Sequence, residues 1–173
     1  MIDSFSVRVA TAADAVLLAD LGGQSFEEAF APANTPEDMA AYLPTTFSPD
    51  LQAAELADPR CLFWVVYLAD TPIGYVKLFA GPAPACISRE KQLKIARLYL
   101  RQAWCGQGIG AALLKRCEVF AQEKRYEAIW LTVWEHNPGA LKLYGKFGFK
   151  IVGEEDFVLG QDVQRDFIME KVL

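Results

Sequence analysis

Three glycines at alternating positions in the stretch GQGIG, residues 106–110, separate an extended apolar segment from an apolar run with helical spacing. The segment 94–100 (KIARLYL) predicts a strand, and the single apolar stripe along 108–124 predicts a helix that packs on a sheet. The segment 128–134 (AIWLTVW) predicts the next strand. A strand, a glycine loop, a helix and a strand in succession place the chain in the α/β or α+β class.

The glycine loop has three interpretations. Glycines at the start of a helix let the backbone approach a ligand, and the free first-turn amides favour an anion, usually phosphate. The loop is equally compatible with a tight turn that binds nothing. Gly106, Gly108 and Ala111 also satisfy the dinucleotide fingerprint, but five residues precede the first glycine and a hairpin is expected upstream. A phosphate-loop NTPase is excluded because no Gly-Lys-Ser/Thr follows.

The remaining elements are predicted from caps and periodicity, without an internal repeat or linker, so one domain is expected over 1–173. The near-continuous hydrophobicity of the central hairpin predicts burial on both of its faces. The predicted elements are a strand over 5–10, a helix over 11–30 capped by Thr11 and bent at Gly22-Gly23, helices beginning at Thr35-Pro36 and Ser48-Pro49, a hairpin over 61–80 with its turn at Asp70-Thr71, a loop over 81–90, a helix from Pro138 to 147, and strands over 149–155 and 165–173.

Composition excludes several functional classes. The net charge is −5 at pH 7 and basic residues form no run, so a nucleic-acid partner is not expected. The longest apolar run, CLFWVVYLA at 61–69, is far below the roughly 18 residues of a membrane span, so no membrane association is expected. Four dispersed cysteines and an N-terminus without a signal-peptide pattern predict a reducing, cytoplasmic location. One histidine, His136, and scattered cysteines predict no metal.

Two motifs carry a resemblance to a known family. The stretch CGQGIGAALL, followed by WLTVWEHNPGALKLYGKFGF, resembles the GNAT superfamily of acyl-CoA-dependent N-acetyltransferases. Its central motif is Arg/Gln-x-x-Gly-x-Gly/Ala, and the next is Asn-x-x-Ala-x-x-x-Tyr with a later Gly-Phe. The resemblance implies an α+β GNAT fold: a mixed, mostly antiparallel sheet of six to seven strands, flanked by helices and splayed between strands four and five.

Within that superfamily, a finer resemblance points to a substrate. The segments 26–43, 131–154 and 157–171 are similar to the bacterial spermine/spermidine N-acetyltransferase branch. This similarity implies direct transfer of an acetyl group from acetyl-CoA to a primary amine, with a small polyamine-like molecule as acceptor, and it allows a homodimer. The alternatives are acetylation of a protein N-terminus or lysine, and a non-catalytic module that binds acyl-CoA.

The resemblance also assigns residues to the coenzyme. The backbone of Leu98, Tyr99 and Leu100 would hydrogen-bond the pantetheine arm. The pyrophosphate would lie against the amides and helix dipole at the loop, formed by Gly106, Gln107, Gly108, Ile109, Gly110 and Ala111. Asn137 would bind the coenzyme beside the splay, and Lys146 would reach one of its phosphates.

The implied chemistry assigns two catalytic groups. The amide of Leu100 would donate to the oxyanion, and Tyr144, a phenol with a pKa near ~10, would be the general acid for the departing thiolate. The surrounding residues allow plainer roles, because Tyr144 lies on an apolar helix stripe and Asn137 precedes Pro138 as a helix cap would.

Some positions depart from the family pattern. Cys105 stands where the family has Arg or Gln, so the phosphates would be bound by backbone amides without that side chain. Thr132 stands where some relatives have a glutamate base, which leaves Glu135, His136 or a bound water as the base. An amine with a pKa of ~10.4 must lose a proton before it attacks, so the absence of that glutamate leaves the proton acceptor unassigned.

Two sets of side chains are candidates for binding the acceptor amine. Trp104 and Trp134 are packing residues or walls of the amine pocket. The acidic residues Glu27, Glu28, Glu37 and Asp38 are either solvated helix surface or a set that attracts a distal ammonium.

Overall fold

The computed structural model describes residues 5–173, so the first four residues of the predicted domain lie outside it. All seven strands belong to one sheet in the order β1-β2-β3-β4-β5-β7-β6. The strands are β1 Ser6–Val9, β2 Cys61–Leu68, β3 Thr71–Phe79, β4 Gln92–Leu100, β5 Ala128–Trp134, β6 Lys150–Leu159 and β7 Asp162–Val172. The helices are α1 Ala15–Phe30, α2 Pro36–Thr46, α3 Pro49–Ala57, α4 Ile109–Glu123 and α5 Pro138–Lys146. The predicted fold class is confirmed.

The central strands β2 and β3 are buried on both faces because helices cover each side of the sheet there. Along β2, Phe63 and Val65 belong to a cluster with residues of α1, whereas Trp64 and Val66 belong to the larger cluster with α4 and α5. Successive side chains of a strand point to opposite faces, so α1 and α4 lie on opposite sides. The prediction that the hairpin is buried on both faces is confirmed.

The predicted splay between the fourth and fifth strands is present. β4 and β5 run parallel and pair only where Gln92–Lys94 meets Ala128–Trp130. Beyond Lys94, β4 stays paired with β3, and β5 stays paired with β7 along its whole length. The two strands therefore separate into a wedge at the C-terminal end of β4.

Two predicted boundaries are wrong. The hairpin turns at Ala69 and Asp70 rather than Asp70-Thr71, since Ala69 takes a positive φ of 49° and Thr71 already pairs with Leu68. The last two strands are longer than predicted and form one hairpin that turns at Gly160, whose φ is 63°. The predicted start of the first helix at Thr11 is confirmed, because Thr11 caps a 3-10 turn, Ala12–Asp14, that leads directly into α1.

Helix α1 is continuous through Gly22-Gly23, and the two glycines differ in their surroundings. An ideal Cβ on Gly22 would lie 2.5 Å from Phe47 Cδ1 and 2.7 Å from the Tyr75 hydroxyl oxygen. On Gly23 it would lie 3.8 Å from Phe47 Cβ, which is ordinary contact. Gly22 therefore sets how closely α1 approaches the aromatic core.

We expect alanine to have opposite effects at these two positions. Gly22→Ala should lower the free energy of unfolding by about 1–3 kcal/mol because the core is overpacked. Gly23→Ala should raise it by about 0.5–1 kcal/mol because alanine favours the helix. Urea denaturation of both variants measures the difference, and equal effects would contradict the close approach at Gly22.

Within residues 5–173, no helix combines the length and hydropathy needed to cross a membrane.

Candidate active site

A cavity of ≈ 760 Å³ follows the wedge between β4 and β5. One end lies at the glycine loop and the N-termini of α4 and α5, and the other lies between α1, α2 and the β6–β7 hairpin. The cavity thus connects both faces of the sheet through the splay. A long ligand can enter at one end and meet a second ligand at the other.

The edge of β4 presents free backbone groups to this cavity. The amide of Arg101 donates to the carbonyl of Ile73, so Arg101 and Ile73 form a hydrogen-bonded pair of the β3–β4 ladder. Hydrogen-bonded and non-hydrogen-bonded pairs alternate along an antiparallel ladder. The backbone amide and carbonyl of Tyr99 therefore bond to β3, whereas those of Leu98 and Leu100 point away from β3 toward the splay. β5 has diverged at that point, so Leu98 and Leu100 can bind an amide-bearing chain.

The glycine loop has an open backbone geometry that fits an anion. Gly106 and Gly108 have φ of 76° and 89°, a region that L side chains rarely adopt, and both line the cavity. Helix α4 has no side-chain cap, whereas Thr35, Ser48 and Asn137 cap α2, α3 and α5. The first-turn amides of α4 are therefore free to bind a phosphate group.

Cys105 lies at the junction of this loop and the splay. Its Sγ atom is 3.8 Å from the carbonyl oxygen of Leu100 and 3.6 Å from that of Arg101. Burial raises the pKa of the thiol. Cys105 is thus a neutral side chain at the site, and an anion at the loop would depend on backbone amides.

Helix α5 contributes Asn137 and Tyr144 to the cavity wall. The Asn137 Oδ1 atom accepts a hydrogen bond of 3.1 Å from the amide of Ala140, so the residue caps the helix as the plainer interpretation predicted. Burial raises the pKa of Tyr144 to about 12, so its hydroxyl stays protonated at neutral pH. Among residues 5–173, no side-chain partner hydrogen-bonds that hydroxyl.

Most of the residues predicted for the coenzyme lie together, but three do not line the cavity. Ile109 is buried in the core, and the side chain of Gln107 donates instead to the carbonyl of Ala103 at 2.7 Å. Lys146 is exposed in the last turn of α5. Any contact of Gln107 or Ile109 with a phosphate would therefore come from the backbone amide and not from the side chain.

The residues considered as the base or as amine attractants lie elsewhere. Glu135 is paired with Arg165 at 2.8 Å, and the side chain of His136 is 70% exposed outside the cavity. Glu28 accepts from Arg101 and from the amide of Gln102. Asp38 accepts from the amide of Gln161, and neither Glu27 nor Glu37 lines the cavity.

The structure reveals two carboxylates that sequence reasoning missed. Glu155 on β6 and Asp166 on β7 are cross-strand partners, and both line the far end of the cavity. Burial, together with the charge of Glu155, raises the pKa of Asp166 to about 6. A half-buried acid in a cleft with a raised pKa is typical of a functional site. Trp134 lines the same end, but Trp104 does not.

Comparison with known proteins gives the class of this site. Residues 24–149 match the model of the acetyltransferase (GNAT) family. An N-acetyltransferase named for the pepI 3′ region of Lactobacillus delbrueckii subsp. lactis is 35% identical over 87% of this chain and 87% of its own. The N-acetyltransferase Rv2669 of Mycobacterium tuberculosis is 30% identical over 92% of this chain and 98% of its own.

A solved structure has the same fold. The PaiA N-acetyltransferase of Thermoplasma acidophilum, in complex with coenzyme A, superposes with a TM-score of 0.79 at 23% identity, over 99% of this chain and 100% of that one. The chain belongs to the acetyltransferase (GNAT) family. It is an N-acetyltransferase that uses acetyl-CoA, and the free amides of α4 together with the free backbone of β4 fit that co-substrate.

Proposed function

We propose that this enzyme acetylates a small primary amine that carries a second ammonium group, such as a short diamine or a polyamine. The observation that carries the proposal is the facing pair of Glu155 and Asp166 at the end of the cavity away from the glycine loop. An acceptor bound there would have its reacting nitrogen beside Asp166 at the splay and its second ammonium within reach of the Glu155 carboxylate.

The two carboxylates have no bonded cation. Among residues 5–173, neither takes part in an ion pair, because Arg97 is bound to Glu55 and Arg165 to Glu135. Lys94 is the cation that lowers the pKa of Asp166, and its effect is smaller than the opposing effect of Glu155. This end of the cavity therefore attracts a cationic ligand.

Aromatic rings surround the same pair. The ring centroids of Tyr42 and Phe157 are 5.4 Å apart, and those of Phe30 and Trp134 are 5.7 Å apart. All four residues line the cavity. Aromatic faces stabilise an ammonium by cation–π attraction and pack against the methylene groups of a diamine. The walls thus suit an alkyl chain with charged ends.

The chain's own residues supply the rest of the chemistry. Acetyl-CoA provides an acetyl thioester, and Gly106 to Ala111 would bind its pyrophosphate. The amide of Leu100 would donate to the oxygen on which negative charge develops. The Tyr144 hydroxyl, with its pKa of about 12, is too weak an acid to release its proton alone. It would donate to the sulfur while it regains a proton from the attacking nitrogen.

A panel of acceptors tests the acceptor class by coenzyme A release. Putrescine, cadaverine and spermidine should each exceed butylamine, which matches putrescine in length but carries one ammonium, by about tenfold or more in kcat/KM. Glu155→Gln should raise KM for putrescine about 3- to 10-fold and change KM for butylamine little, because only the diamine has a second charge.

The same panel includes amino acids and peptides with a free N-terminus or lysine. Faster acetylation of a peptide, or of butylamine over putrescine, would contradict the proposal. Binding of coenzyme A without acetylation of any member would contradict it as well. Because the second-charge effect is electrostatic, the advantage of putrescine should also shrink as ionic strength rises.

A further inference from the structure

Two buried polar atoms at the far end of the cavity have no hydrogen-bond partner within residues 5–173. They are Trp134 Nε1 and Asp166 Oδ1, and the two residues are direct cross-strand partners of β5 and β7. Cross-strand partners share one face of a sheet, so both side chains stand beside each other on the cavity wall. Buried polar atoms are normally paired, and such exceptions need an explanation.

A third unpartnered atom faces the same space from the opposite wall. Ser25, on α1, is 4% exposed, lines the cavity and leaves its Oγ atom without a partner. An ionised carboxylate and a hydroxyl both accept hydrogen bonds, whereas the indole nitrogen of Trp134 only donates. The set therefore suits a ligand that brings N–H donors to Asp166 and Ser25, and a water or carbonyl oxygen to Trp134.

We infer that Asp166 is a catalytic residue that takes a proton from the acceptor amine before attack, with Ser25 helping to hold the nitrogen. This inference rests on the proposed amine acceptor. The ammonium gives one proton to the Asp166 carboxylate, and the neutral nitrogen then forms a bond to the thioester carbon as the carbon–sulfur bond breaks. The nitrogen loses its second proton through Tyr144 to the sulfur, and Asp166 returns its proton to solvent as the products leave.

The charges that face Asp166 suit this role. Burial and Glu155 from β6 raise its pKa and Lys94 from β4 lowers it. Arg97 from β4, which is paired with Glu55, and Tyr42 from α2, whose pKa burial raises, line the same cavity. The shift from 3.8 to about 6 makes proton transfer from an amine about a hundredfold less unfavourable than transfer to an ordinary aspartate. At neutral pH the carboxylate is still mostly ionised and can accept that proton.

Asp166→Asn tests the inference, with whichever amine the parent enzyme acetylates fastest as acceptor. We expect kcat to fall about 100-fold, with a smaller change in KM, and the decline of kcat/KM on the acid side of about pH 6 to disappear. With trifluoroethylamine, which is largely unprotonated at neutral pH, the loss should be about tenfold smaller. The affinity for coenzyme A should not change.

One further variant and one stability measurement keep the interpretation clear. Asp156→Asn removes the same charge from an exposed position on β6 outside the cavity, and its activity should equal that of the parent. Asp166→Asn should not melt below the parent at pH 8. A carboxyl whose pKa is raised by folding stabilises the protein only at low pH, and that stabilisation is lost as pH rises through about 6.

The outcomes separate the two proposals. A kcat within threefold of the parent with an unchanged acid limb, or a loss that appears only in KM, would overturn the role of Asp166 as proton acceptor. Preference for a peptide or monoamine in the parent would overturn the diamine acceptor alone. The role of Asp166 would still be tested with that preferred amine.

Discussion

Gly108→Glu is expected to weaken acetyl-CoA binding about a thousandfold while the protein still folds. Gly108 lines the cavity at the uncapped start of α4, and an ideal Cβ there would meet no protein atom within 4 Å. The new side chain therefore extends into the space where the pyrophosphate would bind. At about 4 Å and an effective dielectric constant near 20, two like charges repel by about 4 kcal/mol, which corresponds to roughly three decades in Kd.

The backbone at Gly108 adds a smaller effect on stability. Its φ of 89° favours glycine, so any other side chain should lower the free energy of unfolding by about 1–2 kcal/mol. Gly108→Ala carries this conformational effect without charge and should weaken coenzyme binding less than about tenfold. Gly145→Glu adds the same charge on α5 at an open position outside the cavity and should leave the Kd near that of the parent.

Calorimetric titration with coenzyme A compares the three variants. Parent-like affinity in Gly108→Glu would exclude the α4 N-terminus as the phosphate site. An equal loss in Gly108→Ala would show that loop conformation, rather than the free amides, controls binding.

Local sequence signals predicted the elements around the splay well. The caps at Thr35, Ser48 and Asn137 are present, because each needs only a side-chain oxygen within three residues of an amide. The last hairpin was predicted too short since its polar residues alternate weakly and Gly160 alone marks the turn. Sequence alone does not distinguish Gly22 from Gly23, because the need for glycine at Gly22 comes from its tertiary contact with Phe47 and Tyr75.

The acceptor end of the site could not be predicted from local patterns. β7 lies between β5 and β6, so Asp166 is placed beside Trp134, 32 positions earlier in the chain. In sequence, Asp166 reads as a polar residue at the start of a strand. Only the non-local strand order turns it toward the splay and next to Glu155, where burial and like charge change its acidity.

The roles of the surface acids could not be predicted from the sequence either. Glu28 resembled a solvated residue or an amine attractant, yet its carboxylate accepts from Arg101 at 2.7 Å and from the amide of Gln102 at 2.7 Å. It thereby ties α1 to the segment that leads from β4 into the glycine loop. Such a role depends on which distant cation reaches the carboxylate.

Tyr144→Phe is expected to lower kcat about 100- to 1,000-fold with little change in the Kd for acetyl-CoA. Tyr144 lines the cavity on α5, and burial keeps its hydroxyl protonated, with a pKa of about 12. It can therefore donate to the sulfur only while the bond to carbon breaks, which is an interaction of the transition state and not of the bound thioester. An effect confined to the transition state lowers kcat and kcat/KM equally.

The aromatic ring of Tyr144 packs against the core and 5.9 Å from the ring of Phe149, so phenylalanine preserves the packing. Tyr126→Phe is the matched control, because Tyr126 packs against the same core outside the cavity and should keep full turnover. Steady-state kinetics with a saturating amine separates the two variants. Full turnover in Tyr144→Phe would mean that the sulfur leaves without help from this hydroxyl and that the phenol is only a core residue. A rise in the acetyl-CoA Kd that matches the loss of kcat/KM would assign it to binding instead.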